Sequence, residues 1–106
     1  MPNFALHELA HAFHDRVLTF GQPEILAAFA AAKAAGTYDR VARHHGNGRP
    51  GTVEKAYAMA DAKEYFAEGT EAFFSRNDYF PFTRAELDAH DPVLAALLGR
   101  LWGGTF

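Results

Sequence analysis

Apolar side chains recur at helical spacing along most of the chain. Leu6, Ala10, Phe13, Val17 and Phe20 stand three or four residues apart, which puts them on one core-facing stripe of a helix. The pattern predicts a first helix from about Phe4 to Leu18, with Asn3 as its N-cap and Thr19-Phe20-Gly21-Gln22-Pro23 as its end. Pro23 opens a second helix, Glu24 to Ala35, with Ile25, Leu26 and Phe29 on one face and Gly36 at the position after its end. Asp61 is placed to N-cap a third helix, from Ala62 to about Ser75. On it Phe66, Thr70, Phe73 and the small Gly69 share a face that would let this helix approach the first one closely. Thr83-x-x-Glu86 is a capping box opening a short helix to about Ala89. Asp91-Pro92 then starts a last helix, with Val93, Leu94, Leu97, Leu98 and Leu101 as its core stripe and Trp102 near its end. Between these elements, Thr37 to Arg43 reads as either a further helical turn or a short extended piece. His44 to Gly51 and the aromatic run Asn77 to Phe82 read as loops.

The expected fold class is therefore mainly α. A chain of 106 residues is the size of one domain, able to bury roughly 60 to 70% of the surface its unfolded form exposes. Hydrophobic residues make up 49% of it and ten are Phe, enough for a single core. The net charge of −3 offers no basic surplus for nucleic acid or an anionic membrane. No apolar run approaches the ~20 residues of a membrane span, and no signal-like segment stands at the start. Neither nucleic acid nor membrane is expected as a partner. The absence of Cys excludes disulfides and thiolate metal sites and fits a reducing or an oxidising compartment equally.

Polar positions change the picture at the first helix. His7-Glu8-Leu9-Ala10-His11 is an H-E-x-x-H pattern, in which imidazoles four residues apart stand one above the other and can grip a single metal ion, as in zinc peptidases. His7, His11 and His14 form a second stripe turned away from the apolar one, with Glu8 one position round. Catalytic zinc takes three protein ligands and keeps a fourth position for water, so two histidines require a third ligand elsewhere. The third helix offers Glu64, Glu68 and Glu71 on one face, like charges that repel unless a cation compensates. Glu64 also has a purely local reading, since with Asp61 it matches a capping box in which its carboxylate reaches back to a backbone N–H. His14 is read as cleft-lining or as supporting the ligands from behind, rather than as a ligand. The pair His44-His45 is either a ligand source or a solvated loop, and His90 is read as solvated.

H-E-x-x-H on one helix with a carboxylate on a later helix is the gluzincin arrangement, whose downstream E-x-x-x-D/E is here Glu64-Tyr65-Phe66-Ala67-Glu68. More narrowly, His7 to His14 together with Tyr57-x6-Glu64-Tyr65-Phe66-Ala67-Glu68 resembles the family of the anthrax lethal factor catalytic domain and the Pro-Pro endopeptidases. In that family the third ligand lies in an E-[FY]-F-A-E run and a catalytic Tyr stands seven residues before it. The resemblance covers residues 4–18 and 57–74. It implies a small helical zincin-like catalytic subdomain with the H-E-x-x-H helix packed against the Glu-bearing helix. It further implies one zinc held by His7, His11 and Glu64, with Glu8 as general base and Tyr57 as donor to the oxyanion of a peptide or protein substrate. Glu68 would accept the free ring N–H of His7 or His11. Family members carry a sheet before the motif helix whose edge strand holds substrate, and the residues ahead of His7 are too few to build it. The chain is thus expected to be one domain over residues 1–106, a fragment or minimal version of the fold, feeble as a peptidase alone and covering its bare apolar face by self-association. The alternative is a catalytically weak or inactive zinc-bearing helical domain acting in protein interaction.

Overall fold

Eight consecutive positions of one helix, Tyr65 to Ala72, are buried, so the centre of the core is the helix with the acidic stripe and not the helix with the paired histidines. The structure is a computed structural model that describes residues 4–18, 22–43, 50–77 and 79–103. It is mainly helical. Helix α1 (Phe4–Phe13) runs on into a π-helical turn (His14–Leu18) and is followed by α2 (Pro23–Ala35). A small antiparallel pair, β1 (Val41–Arg43) and β2 (Thr52–Glu54), comes next, with Ala42 opposite Val53. A 3-10 turn (Tyr57–Met59) leads into the buried helix α3 (Ala62–Phe74), and α4 (Arg84–His90) and α5 (Pro92–Gly103) complete the chain. Helices α1, α2, α4 and α5 and the 3-10 turn all pack on α3. Among the described residues no helix is long and apolar enough to cross a membrane.

Local chemistry sets most of the helix ends. The Asp61 carboxylate accepts the Glu64 N–H at 2.9 Å, and Thr83 and Glu86 form the full reciprocal capping box. At the N-terminus of α2 the Gln22 side chain accepts the Ile25 N–H at 2.7 Å, with Pro23 in the first turn. Gly36, at φ 71°, takes the left-handed conformation that ends α2, the place where glycine avoids the Cβ clash.

Several expectations are corrected. The first helix does not stay α-helical to Leu18, because the winding loosens to a π turn from His14 onward. On α2 the buried stripe is Ile25, Ala28 and Ala32, with Phe29 partly buried against the core, and Leu26 is exposed. This spacing of three and four follows the helical period, which carries Leu26 away from the face of Ile25. Val93 is likewise exposed while Leu94, Leu97 and Leu98 are buried. Gly69 serves the approach of α5 and not of α1, since a Cβ there would meet Leu94 Cδ2 at 2.7 Å and Leu98 Cδ1 at 3.2 Å. His90 is not solvated. Its Nε2 lies 2.8 Å from the Thr37 carbonyl and its ring stands edge-on to Tyr38 and Phe80. Of the two readings for Thr37 to Arg43, the extended one holds at its end, in β1. Asn3, Phe20 and His44-His45 lie outside the described residues, as does the side chain of Val17.

Candidate metal centre

The site forms where α1 crosses α3. Four-residue spacing stacks His7 above His11, with ring centroids 4.7 Å apart and planes at 79°. The first turn of α3 delivers Glu64 to both rings. Its Oε1 lies 3.0 Å from His7 Nε2 and its Oε2 lies 3.0 Å from His11 Nε2, while the two Nε2 atoms are 3.1 Å apart. The carboxylate therefore points at the imidazoles while the Glu64 N–H is the group that Asp61 caps. His7, His11 and Glu64 make one group of donors able to hold a metal ion. The two imidazole nitrogens, 3.1 Å apart, are near the separation of about 3.3 Å that ligand atoms of a tetrahedral zinc keep from one another.

A second layer stands behind His7. The ring Nδ1 is hydrogen-bonded to Glu71 Oε1, and Glu68 Oε2 lies 3.7 Å from the same nitrogen, beyond hydrogen-bond range. Both acids are buried. The electrostatics follow from this crowding. Burial of the His7 ring, the largest single influence, lowers its pKa. The hydrogen bond to Glu71 and the charges of Glu71, Glu64 and Glu68 together outweigh it and hold the imidazole above its ordinary 6.5. Burial, followed by the adjacent Glu71 charge, pushes the Glu68 carboxyl up to about 8, and a hydrogen bond between the two acids adds to the rise. Without a cation the cluster holds protons that it would release on binding one. In the absence of such an ion, Nε2 of His7 and Oε1 of Glu64 can share their 3.0 Å contact only if a proton lies between them.

The other candidate residues are placed differently. Glu8 is exposed on α1 next to His7, and Tyr57 opens the 3-10 turn with 52% of its surface exposed. His14 is fully buried. Its ring packs 4.9 Å from that of Phe66, and it belongs to neither group of metal-capable donors found among the described residues. Burial first, then the nearby His11 charge, lowers its pKa below 6.5. The sequence reading assigned no individual role to Glu71. Its signal was present as the third member of the acidic stripe, seven residues after Glu64, where a helix returns to nearly the same face.

Comparison with protein-family profiles, curated proteins and solved structures finds no match for the chain.

Proposed function

We propose that the chain is a zinc-dependent peptidase of gluzincin-like arrangement, with one zinc held by His7, His11 and Glu64. One observation carries the reading: two imidazole nitrogens 3.1 Å apart on one helix each have an oxygen of the Glu64 carboxylate, from a second helix, 3.0 Å away, donor types and a grouping that suit zinc. When bound, zinc supplies Lewis acidity and lowers the pKa of water to about 7. Glu8, open to solvent beside His7, takes a proton from the attacking water and returns it to the leaving amine. Tyr57 donates its hydroxyl to the oxyanion that develops on the scissile carbonyl. The substrate class is a peptide or protein.

A zinc-bearing helical domain of weak or no activity, acting in protein interaction, is the second reading. It is favoured by the exposure of Tyr57.

The test is elemental analysis after refolding with zinc, paired with digestion of a peptide library. One zinc per chain is expected, lost in Glu64→Ala. Glu8→Gln should keep zinc and fold while losing hydrolysis, and Tyr57→Phe should lower turnover by about 10² to 10³. A protein that takes up no zinc overturns both readings. A zinc-loaded wild-type chain without turnover selects the second.

A further inference from the structure

We infer that Glu71, and not Glu68, is the positioning residue of His7, holding the ring through its Nδ1–H and so fixing the tautomer that leaves the Nε2 lone pair for a cation. The consequence for metal binding rests on the zinc reading above, whereas the tautomer itself does not.

Spacing favours Glu68 for this role, because it stands one turn after Glu64. The helix crossing reverses that order. His7 Nδ1 is hydrogen-bonded to Glu71 Oε1, while the nearest Glu68 oxygen is 3.7 Å away. Glu68 is a buried neighbour of Glu71 on the same helix and stays beyond hydrogen-bond range of the ring. Glu71 is only 2% exposed, which leaves its carboxylate little freedom to move away. A neutral imidazole carries one ring proton. Two acceptors compete for that proton, Glu71 at Nδ1 and Glu64 at Nε2, the latter 3.0 Å away. The Glu71 side chain is the more deeply buried, 3% exposed against 15%, so it keeps the proton on Nδ1. The Nε2 lone pair, 3.1 Å from His11 Nε2, is then left for a cation or parts from Glu64. Metal-binding histidines depend on such a partner behind the ring, and its loss typically costs 10- to 100-fold in metal affinity. The second donor group, His7, Glu68 and Glu71, is on this account the support of the first group and not a separate cation site, since Nδ1 is already committed to Glu71.

The test uses nitrogen-15 NMR of the metal-free protein, labelled at histidine, at a pH high enough to leave His7 neutral. The wild-type ring is expected to carry its proton on Nδ1, and an Nε2–H ring would overturn the inference without any variant. Glu71→Leu, or Glu71→Met where the Leu variant does not fold, should shift His7 toward the other tautomer. Zinc affinity should then fall by about 10- to 100-fold. Glu68→Gln should keep both tautomer and affinity. A Glu71 variant that keeps both, or a Glu68→Gln protein that loses as much, overturns the assignment. If the wild type binds no zinc, the zinc reading fails and the tautomer measurement still decides the role of Glu71.

Discussion

Buried carboxylates occur at two places around α3, Asp91 at one and Glu68 with Glu71 beside the part-buried Glu64 at the other, and the two differ in what faces them. At one, Asp91 accepts the hydroxyl protons of Tyr38 at 2.8 Å and Tyr65 at 2.7 Å on Oδ2, and the Leu94 N–H at 3.2 Å on Oδ1. All three donors are neutral and come from this chain. Burial first, and then the Asp91 charge, push both phenols far above their usual pKa, so they remain donors. At the other, Glu64, Glu68 and Glu71 face two imidazoles and one another, and a carboxylate can only accept. There three acids share the ring nitrogens of two histidines, and extra protons or a cation would relieve their mutual repulsion. Like charges gathered at one place are therefore more informative about a site than a single buried charge.

The comparison breaks most visibly with metal. Zinc a thousandfold above its dissociation constant should add about 4 kcal/mol of stability, which for a chain of this size raises the melting temperature by roughly 15 °C or more. Glu64→Ala should abolish that rise in a thermal scan. Asp91→Ala should instead cost about 3 kcal/mol, because two buried hydroxyls and a helix start lose their acceptor. Chemical denaturation should give the same loss with and without zinc. A loss confined to the zinc-loaded form would mean that Asp91 belongs to the metal site.

The pH dependence sharpens the contrast. Glu68 is raised from 4.5 to about 8 in the fold, so it contributes stability that is present below pH 4.5 and lost as pH climbs through about 8. His7, raised above 6.5, adds a loss in the same direction above that value. His14, lowered from 6.5, opposes them by gaining stability as pH rises. Without metal, denaturant midpoints should fall between about pH 4.5 and 8, and Glu68→Gln should flatten the slope. Zinc should reverse the trend, because its ligands must shed protons to bind it. The smallest effect is expected at Gly69→Ala. Crowding against Leu94 and Leu98 outweighs the gain in helix propensity by about 1 kcal/mol, read as a lower melting temperature with unchanged zinc affinity.

What the sequence determined by itself is what neighbouring residues decide. The caps at Asp61 and Thr83-Glu86 and the left-handed stop at Gly36 depend on contacts within a turn, so residue types at fixed offsets were enough to locate them. The pairing of His7 with His11 and the stripe of Glu64, Glu68 and Glu71 follow from the helical repeat alone. Tertiary structure decided how those stripes meet. The rotation of α1 on α3 gave Glu71 and not Glu68 to His7, and it turned His14 into the packing against Phe66. The same long-range geometry faced Gly69 to α5 and joined Asp91 to Tyr38 and Tyr65. None of these follows from spacing, because a helix presents several acceptors or small residues along one face. The depth and angle of the crossing select among them, and both are set by the side chains that fill the interface.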